Sequence, residues 1–339
     1  MAQASDPDQN WWIYRGTGNP HDGISRLPAP PPWRSFDGVP YPEAPITTTE
    51  RAGFGRGRQD RARNYMPTED VIGAVNTALL LRRPLLVTGR PGTGKSTLAY
   101  AVAYELGLGP VLYWPITTRS TLGDALYRYD AIGRLHDVNL RGLSSGRNGG
   151  QPPSIGDYIQ LGPLGTAILP RHLPRVLLID ELDKSDVDLP NDLLNIFEEG
   201  QFEIPELARH GGEPVVRVRT ADGTAEVEHG LVRCHAFPFV VITSNGDREF
   251  PAPFLRRCIR LEIAPPDGEL LAQIVAAQLG PDVLREAAPV LEQFLDLRNR
   301  GELATDQLLN AVYLASFRRW SDPDRRELDR VLRHLGDQW

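Results

Sequence analysis

Apolar residues fall along this chain in two rhythms. Four short runs are unbroken: Leu85-Leu86-Val87, Val111-Leu112-Tyr113-Trp114, Val176-Leu177-Leu178-Ile179 and Phe239-Val240-Val241-Ile242. Runs apolar at every position predict strands buried on both faces, as in a parallel sheet. Ile259-Arg260-Leu261-Glu262-Ile263 adds a fifth strand. Between them lie stretches with helical spacing. Thr68-Glu69-Asp70 caps one that reaches Leu81, Thr97 to Tyr104 forms a second and Asn191 to Glu199 a third. Alternating strand and helix predicts an α/β core built on a five-stranded parallel sheet with flanking helices.

Two regions break the alternation. Val215–Arg219 and Ala225–Glu228 flank Thr220-Ala221-Asp222-Gly223-Thr224 with apolar and charged residues in turn, which predicts a β-hairpin projecting from the body. Residues 116 to 170 predict a short helix at Thr121–Leu126, a glycine-rich surface loop at Ser144–Gly150 carrying Arg147, and a β-like start at Tyr158. After Pro265-Pro266 the spacing turns wholly helical, over 268–279, 282–299, 304–319 and 323–335, with breaks at Gly280-Pro281 and Ser321-Asp322-Pro323. This predicts a small all-α lid. The expected division is an N-terminal arm over 1–63, an α/β core over 64–264 with a hairpin insert at about 213–230, and a helical lid over 265–339.

The arm has neither rhythm. Prolines cluster at 28–32 and again at Pro40, Pro42 and Pro45, and Gly53-Phe54-Gly55-Arg56-Gly57-Arg58 follows. An extended or partly disordered segment is expected. Trp11, Trp12, Tyr14 and Trp33 are more aromatic content than a linker needs, and are candidates for pinning it to the body or to a neighbouring subunit.

Composition removes several classes. No apolar run approaches the roughly 18 residues of a membrane span. Met1 to Asn10 is polar and acidic, unlike a signal peptide. Two cysteines, Cys234 and Cys258, make neither a disulfide framework nor a metal-ligand spacing. A cytoplasmic protein is expected. A net charge of −7 argues against nucleic acid as a partner. Among 37 basic residues only Lys95 and Lys184 are lysines. Each sits beside a motif where a compact cation suits phosphate, although Lys184 also reads as an ordinary surface lysine.

The first motif is Gly89-Arg90-Pro91-Gly92-Thr93-Gly94-Lys95-Ser96, followed by Thr97, between a strand and a helix. This is the phosphate-binding loop pattern. Glycines let backbone N–H groups converge on phosphate oxygens, and the helix aims its positive end at the same place. Lys95 would reach the β- and γ-phosphates and Ser96 would ligate Mg²⁺. The second motif ends the third strand with Asp180-Glu181. Carboxylates there lie in the crevice where such sheets bind ligands. Asp180 would hold Mg²⁺, mainly through water, and Glu181 would polarise the attacking water. Asn245 ends the fourth strand, where an amide can hold that water or the γ-phosphate. Arg256 and Arg257 precede the fifth strand and are candidates for reaching a neighbour's nucleotide.

In this order the motifs resemble those of an AAA+ ATPase, and within that group of the MoxR type. Gly162-Pro163-Leu164 stands shortly before the acidic strand end, and Asn245 is followed by Glu249, Pro251, Pro253, Leu255 and Arg257. The resemblance spans about residues 66–318. It implies a P-loop NTPase core with a helical lid, ATP and Mg²⁺ as cofactors, and a homo-oligomeric ring, most often a hexamer. It also implies Arg257 before Arg256 as the finger, and a client protein such as a von Willebrand A-type partner. Gln307 stands near the place where such lids often carry a sensor arginine. A slow-turnover nucleotide switch in a signalling or defence assembly, and a small-metabolite kinase, stay open as alternatives. So does GTP in place of ATP, because the loop fixes phosphates and not the base.

Overall fold

In the computed structural model, residues 11–40, 62–143, 153–209, 214–280 and 305–317 are described, with a few positions between 282 and 295. The loop carrying Arg147, the Gly53–Arg58 run, and most of the helices expected over 282–299 and 323–335 lie outside the described residues.

Eleven strands occur among the described residues: β1 Leu85–Thr88, β2 Leu112–Pro115, β3 Tyr127–Tyr129, β4 Ile159–Leu161, β5 Val176–Asp180, β6 Gln201–Glu203, β7 Val215–Arg219, β8 Thr224–Glu228, β9 Leu231–Arg233, β10 Phe239–Ser244 and β11 Ile259–Glu262. Five form the expected sheet, in the order β11-β1-β10-β5-β2 and parallel throughout. Because the period is two, the inner strands β1, β5 and β10 feed both faces. Leu86, Leu177, Ile179, Val240 and Ile242 face one core, and Leu85, Val87, Leu178, Phe239 and Val241 face the other. The second core is closed by helices Glu69–Leu81 and Lys95–Glu105. Thr68 caps the first of these by accepting from the Val71 N–H at 3.5 Å.

The hairpin does not project. Strands β7 and β8 pair around residues 220–223 as expected, but lie inside a second sheet ordered β3-β4-β7-β8-β9-β6. Val216, Val218 and Val227 are buried in the first core. The alternation of apolar and charged residues therefore gives the hairpin one dry face against the body. The other strands of this sheet, apart from β8, are only three residues long, too short to show a period.

Over residues 11–40 the N-terminal segment holds two 3₁₀ turns, Gly23–Arg26 and Pro32–Arg34. Residues 11–40 nevertheless contact the body. Of the four aromatics, Tyr14 is buried, whereas Trp11 and Trp33 are exposed; Ile13 and Ile24 join Tyr14 in the core instead. Two buried polar side chains hold the backbone. Asn76 Oδ1 accepts from the N–H groups of Ile13 (2.7 Å) and Tyr14 (2.9 Å), and its Nδ2 donates to Tyr14 O (2.8 Å) and Ile72 O (2.9 Å). Glu105 accepts from Arg15, Gly16 and Gly18 N–H at 2.7–3.0 Å and contacts His21 Nε2 at 3.1 Å. Asn76→Ala would leave three backbone groups of residues 13 and 14 without protein partners. A stability loss of roughly 2–4 kcal/mol in urea unfolding is expected, since an orphaned buried group costs about 1–3 kcal/mol.

Beyond β11, helix Gly268–Leu279 starts on Asp267, whose Oδ1 accepts from Leu270 N–H at 2.8 Å. Leu271 and Val275 pack with Val290, Phe294, Leu308, Ala311 and Val312 in a separate small core. Asn64 Nδ2 donates to Ala277 O at 2.9 Å. Gln307 lies in the first turn of helix Thr305–Phe317.

Candidate nucleotide site

Strand β1 sits between β10 and β11, so its C-terminal end opens beside the ends of both. Gly89 leaves it with φ 147°; a Cβ there would lie 2.5 Å from Ile263 O, the residue just past β11. Gly94 opens helix Lys95–Glu105 at φ 86°, with the Tyr65 ring 3.1 Å from where a Cβ would stand. Only glycine fits both constraints at these two positions. The loop is thus a shallow cradle of backbone at a helix N-terminus, which suits phosphate.

Lys95 is nearly buried. Its Nζ donates to Gly89 O (2.7 Å), Arg90 O (2.9 Å) and Asn245 Oδ1 (2.8 Å). Burial lowers its pKa, and the nearby carboxylates of Asp183, Asp180, Glu181 and Asp247 oppose that. Ser96 Oγ donates to Asp180 Oδ1 at 2.6 Å. Lys95, Ser96, Asp180 and Asn245 are therefore brought together from the ends of two strands and the start of one helix. A hydroxyl and a carboxylate in contact form a hard oxygen pair, the donor set that suits Mg²⁺, which keeps most of its remaining ligands as water and phosphate. Gly92 and Thr93 complete the loop; Thr93 Oγ1 donates to Arg90 O at 2.9 Å. Pro91 lies in the same loop, and Thr97 in the first turn of the helix.

Glu181 is placed differently. Its backbone is left-handed, at φ 62° and ψ 49°. Its Oε2 accepts from Lys184 Nζ at 2.7 Å, a half-exposed ion pair, and that hydrogen bond raises the Lys184 pKa. Lys184 thus meets a carboxylate of its own loop. Arg257 and Arg256 lie away from the cradle. Arg257 Nε donates to Glu198 Oε1 at 2.9 Å, and Arg256 has an exposed side chain.

Three partners escaped the sequence reading. Thr243 Oγ1 donates to Asp180 Oδ1 (2.7 Å) and accepts from Glu181 N–H (2.8 Å), tying both acidic residues to β10. Asp183 Oδ2 accepts from the N–H groups of Asn245 (2.9 Å) and Asp247 (3.2 Å), while its Oδ1 is buried without a partner. Tyr113 OH donates to Asp180 Oδ2 at 3.3 Å, and its own pKa is raised, first by burial and then by that carboxylate. The available signals were a hydroxyl in a fully buried strand and a third acid within four residues.

A family model described as AAA domain, dynein-related subfamily, matches residues 84–258, just over half of the chain. No curated protein matches. Among solved structures, domain III of the replication initiation protein DnaA from Thermotoga maritima is similar at 16% identity and a TM-score of 0.41, covering 82% of this chain and 97% of that one. None of the described helices is long and apolar enough to cross a membrane.

Proposed function

We propose that this chain, which belongs to the dynein-related subfamily of AAA domains, is a MoxR-like ATPase that remodels a partner protein, with its nucleotide held at a boundary between subunits. The observation that carries the reading is the convergence of Lys95 with Asn245 and of Ser96 with Asp180 at one end of the parallel sheet. Lys95 would exchange loop carbonyls for β- and γ-phosphate oxygens. Ser96 and Asp180 would hold Mg²⁺, which when bound neutralises charge on those phosphates. Glu181 would orient the attacking water and take its proton, Asn245 would position that water or the γ-phosphate, and Arg257 would serve the nucleotide of the next subunit.

The chain would work in the cytoplasm as a homo-oligomeric ring, a hexamer, on a client such as a von Willebrand A-type protein. Of the two inserts, the 116–170 segment is the better client-facing element. The valines of β7 and β8 face the core, whereas Ile132, Leu135 and Val138 on helix Ala131–Leu143 are 83%, 62% and 59% exposed. Negative-stain imaging of the full chain with a non-hydrolysable ATP analogue tests the reading. Six-membered rings are expected. Monomers at every concentration, together with a phosphorylated small-molecule product, would replace it with a metabolite kinase.

One observation favours a second reading, the slow-turnover switch. Glu181 Oε2 is paired with Lys184, a contact that competes with a water for that oxygen.

A further inference from the structure

The N-terminal segment meets Arg257 at a cavity of about 140 Å³ outside the nucleotide cradle, lined among others by Trp33, Arg34, Arg83, Glu198 and Arg257. Three guanidinium groups border it with a single carboxylate among those residues, so Glu198 is shared. Glu198 Oε1 accepts from Arg257 Nε at 2.9 Å, and its Oε2 lies 3.6 Å from Arg34 Nη1. Arg257 Nη1 donates to Pro253 O at 3.2 Å, one turn back on its own segment. Two of the three nitrogens of the Arg257 guanidinium are thus fixed, and Nη2 has no partner among the described residues.

Arg34 is a rigid neighbour. Its side chain is 5% exposed. Nε and Nη2 donate to Arg82 O at 3.1 and 2.7 Å, and its guanidinium lies 5.3 Å from the Phe36 ring centre and 4.7 Å from that of Phe237. Phe237 stacks on Phe36 and packs edge-on against Phe197, the residue before Glu198. Arg83 Nη1 donates to Arg256 O at 3.0 Å and fixes the backbone beside Arg257. A cation that buried, on two aromatic faces, has little freedom, and its charge tethers the free oxygen of Glu198.

We propose that Glu198 is the positioning residue for Arg257 and that Arg34, from the N-terminal segment, orients Glu198. The segment, which the family match does not reach, is then a working part of the face that serves the neighbouring subunit. The proposal rests on the reading of Arg257 as a finger acting across the subunit boundary. A fixed Nε and Nη1 leave Nη2 for a further acceptor, so a phosphate of the adjoining copy would meet an arginine already ordered.

Steady-state ATPase assays on the full-length chain test both layers. Arg257→Ala is expected to lower kcat about 10³-fold. Glu198→Gln is expected to lower kcat about 10–100-fold, the scale of a small misplacement of a catalytic group, with KM for ATP within two-fold of wild type. Arg34→Gln is expected to lower kcat in the same way and by less. In the Arg257→Ala background Glu198→Gln should have no further effect. Mixing Glu198→Gln with Lys95→Ala subunits, which keep an intact Arg257, should restore turnover, and mixing it with Arg257→Ala subunits should not. If Arg257→Ala stays within two-fold of wild type, the finger reading falls and this inference with it. If Arg257→Ala is crippled while Glu198→Gln and Arg34→Gln are not, or if Glu198→Gln slows the Arg257→Ala protein further, the inference alone is overturned. Should Glu198→Gln fail to fold, judged by its thermal transition, Arg34→Gln decides by the same double-variant comparison.

Discussion

Glu181→Gln is expected to bind ATP within about two-fold of wild type and to hydrolyse it about 10²–10⁴-fold more slowly, the usual contribution of a positioned general base. The substitution keeps the shape of the side chain and removes its charge and its ability to take a proton. The backbone at this position is held independently, because the Glu181 N–H donates to Thr243 Oγ1, whose hydroxyl donates to Asp180. Loss of the carboxylate also breaks the ion pair with Lys184, but both partners are over 40% exposed and such pairs contribute about 0–1 kcal/mol. The thermal midpoint should therefore barely move while turnover collapses. Phosphate release at saturating ATP, measured beside equilibrium binding of a fluorescent analogue, gives both numbers. Equal, near-zero rates for variant and wild type would favour the switch, with the Lys184 pair as its resting state. Equal and substantial rates would remove Glu181 from the chemistry.

What the sequence made legible follows from how many residues each signal spans. The three inner strands of the parallel sheet were readable because a strand covered on both faces must be apolar throughout, as in Val176–Ile179 and Phe239–Ile242. The glycine loop was readable because its signal lies in eight consecutive residues, beginning with Gly89 at φ 147°. The second sheet was only half visible. Its hairpin showed, but β3, β4, β6 and β9 have three residues each. The burial of Val216, Val218 and Val227 depends on a core assembled from distant segments.

Polar partners were the least legible. Thr243 and Asp180 are 63 positions apart, and Glu198 and Arg257 59 apart. Nothing in either stretch alone announces the pairing. The N-terminal segment shows the same limit from another side. Its composition reads as an extended or partly disordered arm, and residues 11–40 have no α-helix or strand. Its order is supplied by Asn76 and Glu105 on two core helices, whose side chains supply the hydrogen bonds that a strand partner would have given.

Lys95→Ala is expected to weaken ATP binding about 10–100-fold, because a hydrogen bond to a charged group contributes about 1.5–3 kcal/mol and 1.4 kcal/mol is a factor of ten. In the structure the ammonium is already desolvated and donates to three oxygens, two of them loop carbonyls. The cost of burying that charge is met during folding, so the incoming phosphates need only exchange one set of acceptors for another. Alanine removes the donor and leaves Asn245 Oδ1 and two carbonyls facing the cradle, where they repel a triphosphate. Lys95→Arg should not rescue. The wider, planar guanidinium cannot occupy the space between Gly89 O, Arg90 O and Asn245 that a compact ammonium fills. Isothermal titration of both variants with ATP and Mg²⁺ checks the expectation. Unaltered affinity in Lys95→Ala would mean that the triphosphate binds somewhere other than this loop, and the roles given to Ser96, Asp180 and Asn245 would go with it.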